Sequence, residues 1–110
     1  MNASDERLAE RVRFVIGRRR LEEKRMFGGL AFLYRGYMSL GILGEDLMVR
    51  VGPDAYEASL ARAGARPMDF TGRPMKGMVY VGPAGTRTRR QLEKWVELAL
   101  AFAASLPPRK

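Results

Sequence analysis

The fold is decided by residues 30–51, with the sequence LAFLYRGYMSLGILGEDLMVRV. Two short polar segments, Arg35-Gly36 and Gly44-Glu45-Asp46, divide this stretch into three apolar runs. Short segments rich in glycine and charged residues are typical of tight turns between strands. Connections of this length force neighbouring strands to run antiparallel. The sequence therefore predicts three consecutive antiparallel strands, Leu30–Tyr34, Tyr37–Leu43 and Leu47–Val51.

The alternation of side chains along these strands predicts which residues face the core. Residues two apart in a strand point to the same face of the sheet, so every second apolar residue is expected inside. Met48 and Arg50 are expected on the opposite face. The residues predicted to face the core are Met38, Leu40 and Ile42 of the middle strand and Leu47, Val49 and Val51 of the next one.

Helical patterns flank the three strands. Apolar residues at helical spacing predict a first helix over Ser4–Ile16, with its first residue as the N-cap. Pro53 is suited to the first position of a short second helix. Thr88 and Gln91 match the capping-box pattern and predict a third helix that runs to Leu106.

Two further strands complete the order of elements. A weak first strand is predicted over Leu21–Met26 and is interrupted by Gly28-Gly29, which indicates a bulge or a close backbone approach. A short last strand is predicted over Met78–Val81, before a turn at residues 82–85. The resulting order, α-β-β-β-β-α-β-α, predicts an α+β fold with two layers, an antiparallel sheet of five or six strands and three helices.

The length and hydropathy of the chain indicate its class. Its 110 residues, 46% of them hydrophobic, predict one globular domain over residues 1–110. No apolar run approaches the ~18 residues that a membrane-spanning helix needs. The first fourteen residues, MNASDERLAERVRF, are charged and lack the apolar segment of a signal peptide. We therefore expect a soluble protein of the cytoplasm without membrane contact.

The net charge of +8 is concentrated in the two terminal segments of the chain. Residues 1–25 carry a net charge of +3 and residues 86–110 carry +4, whereas residues 26–85 carry only +1. A basic excess of this kind permits binding to nucleic acid or to an acidic partner.

Residues that carry catalysis are scarce in this sequence. The absence of cysteine and histidine removes thiolate metal sites, disulfides and the commonest general base. None of the serines lies in the sequence context of an activated nucleophile. The carboxylate pairs Glu22-Glu23 and Glu45-Asp46 are expected at the surface. We therefore expect a protein that is not an enzyme, with no catalytic residue, no metal and no cofactor.

One side of the first predicted helix carries cations around an aromatic side chain. Arg7, Arg11 and Arg18 fall within about 40° of each other at about 100° per residue, and Phe14 lies among them, off the apolar stripe. An aromatic residue flanked by arginines is suited to stack on a base or to seat a partner. The alternative is that the helix rolls, or that Phe14 covers a neighbouring loop. The run Arg18-Arg19-Arg20 is predicted to be a solvated loop, with phosphate contact as its alternative.

A cationic stretch, RPMDFTGRPMKG, covers Arg66–Gly77 between the second helix and the last strand. Asp69 and Thr71 are predicted to shape a turn within it. In one interpretation its cations join an outward-facing arginine in an anion-binding patch. In the other, its Met and Phe side chains plug one end of the core and Asp69 pairs with an arginine. The candidates for the anion-binding patch are Arg50, Arg73 and Lys76.

Three segments, Lys24–Gly29, Leu47–Pro53 and Arg66–Gly77, resemble the motifs of one family in the same order. Together they are similar to the TfoX N-terminal domain family, also called Sxy-like, over nearly the whole chain. The resemblance implies a fold like that of secretion chaperones, with helices on one face of a five- or six-stranded antiparallel sheet. The best-known members regulate natural competence by assisting transcription and carry a second, C-terminal domain. The resemblance identifies this chain as a stand-alone, single-domain member.

The resemblance and the lack of catalytic patterns favour a non-enzymatic regulatory or protein-interaction domain. We expect it to be a homodimer and to bind a protein of the transcription machinery, through an exposed sheet edge or through the face around Phe14. One alternative is direct binding of nucleic acid by the two basic terminal helices. The other alternative is a small anion-binding domain.

Overall fold

A computed structural model describes residues 3–26, 28–69 and 76–108. Within them the chain forms an antiparallel sheet of six strands in the order β1-β2-β3-β4-β6-β5, with four helices. This arrangement confirms the predicted two-layer α+β fold. The helices are α1 (Ala3–Ile16), α2 (Tyr56–Leu60), α3 (Pro83–Thr86) and α4 (Arg89–Ser105). The strands are β1 (Glu22–Met26), β2 (Gly29–Tyr34), β3 (Tyr37–Leu43), β4 (Asp46–Arg50), β5 (Ala65–Pro67) and β6 (Met78–Val81).

Three local predictions are wrong in detail. Helix α1 begins at Ala3, so Ser4 lies within the helix and is not its N-cap. Helix α2 begins at Tyr56, because residues 53–55 form a turn before it. The predicted turn at residues 82–85 overlaps the one-turn helix α3, which has proline at its start. Strand β5, which pairs with β6 and overlaps the start of the stretch Arg66–Gly77, is the sixth strand that the prediction of five or six strands left open.

Helices α1 and α4 pack on one face of the sheet and enclose a core that we call the helix-side core. Trp95 is its largest fully buried side chain, and its indole Nε1 donates a hydrogen bond of 3.1 Å to the carbonyl of Gly85. The predicted capping box of α4 is confirmed, because Thr88 and Gln91 exchange side-chain-to-backbone hydrogen bonds. Buried members of this core include Leu8, Val12 and Ile16 of α1, Phe32, Leu40, Ile42, Leu47 and Val49 of the sheet, and Leu92, Trp95 and Val96 of α4.

Strand β3 contains a bulge that changes the predicted faces. Leu40 pairs with Phe32, whereas Met38 pairs with Leu33, so Ser39 is an extra residue in the strand. The buried hydroxyl of Ser39 donates a hydrogen bond of 3.1 Å to the carbonyl of Phe32. Met38 therefore points away from the helices, and the prediction that it shares a face with Leu40 is wrong.

The second face of the sheet carries a smaller cluster that we call the methionine face. Met48 is fully buried there, as predicted for a side chain that points away from the helices. Met68 also packs into this cluster, so it covers the second face of the sheet and is not a plug at one end of the helix-side core. Residues 70–75 of that stretch lie outside the described residues. The methionine face consists of Met38, Leu43, Met48, Met68, Met78 and Tyr80.

Candidate partner-binding surface on the terminal helices

Helices α1 and α4 lie side by side and run in the same direction. Arg11, in the second half of α1, donates hydrogen bonds from Nη2 to the carbonyls of Thr86 and Arg87, just before α4 begins. Near the end of α1, Arg19 forms an ion pair with Glu97, with 2.7 Å between Nη1 and Oε2. This parallel placement brings together two basic segments that are about 75 residues apart in sequence.

A groove opens between the two helices on the side that faces away from the sheet. It has a volume of about 280 Å³ and a largely apolar lining. Val15 and Leu92 belong to its lining, and Phe14 stands at its side. We call this hollow the α1–α4 groove; its lining residues are Glu10, Arg11, Phe14, Val15, Arg89 and Leu92.

Phe14 is the most exposed large apolar side chain of the groove, with 68% of its surface accessible. The predicted alternative, in which the helix rolls to bury this ring, is therefore wrong. Arg89 lies over the ring, with 5.0 Å from its guanidinium carbon to the ring centroid. The same guanidinium is held by Glu93 through an Nε to Oε2 contact of 3.1 Å. The ring and the cation are thus in contact with each other while both remain accessible to a partner.

A second hollow continues the groove beyond Arg11 toward the beginning of α1. It has a volume of about 260 Å³. We call it the Arg7 hollow; its lining residues are Arg7, Leu8, Arg11, Glu45, Pro83 and Thr86. Arg11 lines both hollows, so they are neighbours along α1, and we call the two hollows together the depression.

The run Arg18-Arg19-Arg20 is only partly the solvated loop that the sequence predicts. Arg18 and Arg20 are exposed. Arg19 instead donates hydrogen bonds of 3.0 Å to the carbonyls of both Val15 and Ile16, in addition to its ion pair with α4. A cation that binds the last carbonyls of a helix stabilises its C-terminus. Arg18 lies past the end of α1, so the predicted arginine face reduces to Arg7 and Arg11.

The two hollows together are lined by three arginines and two glutamates, so their lining has a small positive excess. Arg7, Arg18, Arg87 and Arg90 form no ion pair within the described part of the chain. Arg87, Arg89 and Arg90 lie at the start of α4, whose first turn contains no acidic residue. A positive helix terminus surrounded by cations is electrostatically unfavourable in isolation, and a negative partner would relieve it.

The anion-binding candidates are not shown to converge. The guanidinium of Arg50 lies between two aromatic rings, 5.9 Å from the centroid of Tyr37 and 5.3 Å from that of Phe102. Lys76 is exposed, and the next residue, Gly77, accepts hydrogen bonds from the backbone just after Arg50. Arg73 lies outside the described residues. The predicted anion site therefore stays a prediction.

Arg66 is engaged in an ion pair. Its Nη2 lies 2.6 Å from Oδ2 of Asp46, and its guanidinium stacks over Tyr80 at 4.9 Å. The hydrogen bond to Asp46 is the main reason that the pKa of Arg66 is raised, and the charge of Asp69 raises this pKa further. Asp69 is exposed, and Thr71 lies outside the described residues, so their turn also stays a prediction.

Comparison with known families adds an independent observation. The sequence model of the TfoX N-terminal domain matches residues 15–103. The chain belongs to the TfoX N-terminal domain family. No curated protein and no solved structure shows significant similarity to this chain. The part of α1 that carries Arg7, Arg11 and Phe14 precedes the range matched to the TfoX N-terminal domain, whereas Arg89 and Leu92 lie within it.

Two features of the described residues bear on other classes of function. None of the helices seen in this TfoX N-terminal domain combines the length and apolar character needed to cross a bilayer. The residues whose positions are described also contain no group of three or more acidic side chains arranged to hold a metal ion.

The sequence alone identifies Arg7, Arg11 and Phe14 as binding candidates, but it does not identify their neighbours on α4. The first turn of α4 is recognisable from its capping box, and Arg89 follows the cap directly. No local pattern indicates that this turn lies beside residue 14, because the contact is made by tertiary packing.

Proposed function

We propose that this TfoX N-terminal domain is a non-enzymatic regulatory domain that binds a protein partner through the α1–α4 groove. The observation that carries the proposal is Phe14, an aromatic ring held at the side of an apolar groove with 68% of its surface exposed. Exposed aromatic residues beside a groove are the usual anchors of protein interfaces. Membership of the TfoX N-terminal domain family supports a regulatory, competence-type role.

The proposed partner is a protein of the transcription machinery, and the proposed state of the domain is a homodimer. The two edges of the sheet are poor candidates for the dimer contact. All five residues of β1 are exposed, and four of them are charged. Strand β5 has only three residues and ends in Pro67. Charged, short or proline-containing edges resist edge-to-edge pairing, so the dimer contact is expected elsewhere. Light scattering after size-exclusion chromatography tests the dimer, and a strict monomer at high concentration contradicts it.

Site-specific photocrosslinking in cells of the native host tests the protein-binding proposal. The crosslinking amino acid p-benzoylphenylalanine replaces Phe14 in one variant and the exposed Ala104, near the other end of α4, in a matched control. We expect a discrete protein adduct from position 14 and none from position 104. The purified partner is then expected to bind the Phe14→Ser variant at least about tenfold more weakly than the wild type. Identical adducts from both positions, or none from position 14, contradict the proposal.

The second candidate function is direct binding of nucleic acid, because the two basic terminal helices lie next to each other. Arg7 and Arg11 of α1 lie close to the arginine-rich start of α4. Binding of this kind is expected to be weak and to fall steeply with salt. Charge reversal at Arg7 and Arg11 is expected to weaken it further. Absence of a shift of single- and double-stranded DNA in low-salt gels rejects this candidate.

A further inference from the structure

We propose that the segment bound by the α1–α4 groove is an acidic helix of the partner. In this complex an apolar side chain lies beside Phe14, and two carboxylates contact Arg7 and Arg11. The inference rests on the proposed function, because it names the chemistry of the partner at the same site. Three observations support the inference. They are the shape of the depression, the contacts that hold two of its cations, and the acidic residues that also line it.

The shape of the depression suits a helix of about two turns. From Arg7 to Phe14 it follows α1 for seven residues, which is about 10 Å at ~1.5 Å per residue. Its apolar end lies between two parallel helices, and such a groove accepts the apolar ridge of a third helix. The end beyond Arg11 is lined by more polar residues and suits the acidic part of the same segment.

Two of the cations, Arg11 and Arg89, are held by contacts within the domain before the partner arrives. Arg11 uses only Nη2 for its bonds to the carbonyls of Thr86 and Arg87, which leaves Nε and Nη1 as donors. Arg89 uses Nε for Glu93 and leaves both terminal nitrogens. Side chains that are already ordered lose little entropy on binding, so they favour the association.

Acidic residues in the depression favour a peptide over a nucleic acid. Glu10 lines the α1–α4 groove and Glu45 lines the Arg7 hollow, so each hollow contains one carboxylate near its arginines. A phosphate backbone carries a charge at every nucleotide and would meet these carboxylates. A peptide places acidic residues opposite the arginines and neutral ones opposite the glutamates, which is a more selective match.

The spacing of the arginines predicts the sequence of the partner segment. Arg7 and Arg11 are four residues apart, and Phe14 follows three residues later. A partner helix that runs parallel to α1 then has acids at i and i+4 and an apolar residue at i+7. An antiparallel one has the apolar residue at i and acids at i+3 and i+7.

Fluorescence anisotropy with two labelled, alanine-based helical peptides, one for each direction, tests the inference on the full chain. Each peptide carries two Glu and one Leu at the predicted spacing. We expect one of them to bind with a Kd of roughly 10–100 μM. Its Glu→Lys and Leu→Ser derivatives are expected to bind at least about tenfold more weakly. Failure of both parent peptides to bind overturns the acidic-helix inference.

Protein variants locate the binding site. Phe14→Ser and Arg7→Glu are each expected to weaken the peptide about tenfold. Lys24→Glu, an equal change of charge on the exposed strand β1, is expected to change the Kd less than about twofold. Equal effects of Arg7→Glu and Lys24→Glu overturn the assigned location. Displacement of the peptide by a lower concentration of single-stranded DNA overturns the preference for a peptide.

The outcome separates this inference from the proposed function. If position 14 crosslinks to a protein whose binding needs Phe14 but neither peptide binds, the proposed function stands and the acidic-helix inference is wrong. If neither crosslinking nor peptide binding depends on position 14, both proposals are wrong.

Discussion

The two faces of the sheet bury apolar side chains by different means. The helix-side core is covered by α1 and α4 and is built mainly from branched aliphatic residues, together with Phe32 and Trp95. The methionine face has no long helix over it among the described residues. It is filled by methionines, together with Leu43 and Tyr80.

This difference separates a rigid packing from an adaptable one. Branched and aromatic residues have few rotamers, and a core made of them fits only one arrangement closely. Methionine is unbranched and flexible, so it fills irregular space and tolerates change. We therefore expect substitutions in the helix-side core to cost more stability than comparable ones on the methionine face.

The largest loss is expected from Trp95→Ala in the helix-side core. This change removes a nearly fully buried indole and leaves the carbonyl of Gly85 without its hydrogen bond. Loss of a buried tryptophan typically costs about 3–5 kcal/mol of unfolding free energy. Urea denaturation monitored by far-UV circular dichroism measures this loss of unfolding free energy. A loss under about 1 kcal/mol would show that α4 is not the main cover of the sheet.

Truncation on the methionine face is expected to cost less. Met48 is fully buried, and Met48→Ala is expected to lower the free energy of unfolding by about 2–3 kcal/mol, since neighbouring methionines can relax into the cavity. Met48→Leu keeps the volume and serves as the matched control, with an expected loss below about 1.5 kcal/mol. The same urea denaturation experiment measures the loss of unfolding free energy in both variants. A larger loss for Met48→Ala than for Trp95→Ala contradicts the proposed difference between the faces.

A pair of glycine substitutions compares the two packings directly. A Cβ on Gly85 would lie 2.3 Å from the carbonyl oxygen of Ala63, whereas a Cβ on Gly41 would lie 2.5 Å from the terminal methyl of Met48. The carbonyl of Ala63 belongs to the backbone and is costly to displace, whereas the methyl of Met48 is the end of a flexible side chain. Gly85→Ala is therefore expected to cost about 1–3 kcal/mol and Gly41→Ala less than about 1 kcal/mol. Melting temperatures of both variants check the order, and equal shifts contradict it.

The sequence predicts those features of the two faces that depend on local patterns. It does not predict those that depend on contacts between residues distant in sequence. The alternation along β4 correctly places Met48 opposite the helix-side core, and Thr88 with Gln91 correctly predicts the start of α4. The bulge at Ser39 is not predicted, because a serine in a strand looks like an ordinary outward-facing position. It decides the face of Met38 through a hydrogen bond to the neighbouring strand.

The candidate partner-binding surface is likewise predicted only in part by the sequence. Helical periodicity predicts that Phe14 lies off the apolar stripe of α1, among arginines. The cap formed by Arg19 and the contact of Phe14 with Arg89 arise only when α1 and α4 pack together. They depend on pairs distant in sequence, which no local pattern reveals.

On the helix side an ion pair joins α1 to β1, and this pair gives a smaller, pH-dependent effect on stability. Arg13 of α1 donates hydrogen bonds of 2.9 and 2.8 Å to Glu23 of β1. These bonds lower the pKa of the Glu23 carboxyl below its ordinary value of 4.5. The ion pair therefore stabilises the fold at neutral pH, and this contribution is lost as the pH falls below about 4.5 and through the lowered pKa.

The variant Glu23→Gln measures this contribution. At pH 7 it is expected to be less stable than the wild type by at most about 1 kcal/mol, because the pair is largely exposed. The difference is expected to shrink toward zero near pH 3. Unfolding free energies measured from pH 3 to pH 7 test the sign. A difference that grows on acidification contradicts the assignment.

The smallest effect on stability is expected on the outer surface of the helix side, at Phe14. Its ring is mostly exposed and its described ring contact is the stack with Arg89, so Phe14→Ser removes little buried area. The free energy of unfolding is expected to change by no more than about 0.5 kcal/mol. Val12→Ser, two residues earlier on the buried side of the same helix, is the matched control and is expected to cost at least about 2 kcal/mol. A large loss of unfolding free energy in Phe14→Ser would show that the ring contributes to the stability of the fold. A neutral result, together with weakened partner binding, would show that the exposed aromatic ring serves binding and not folding.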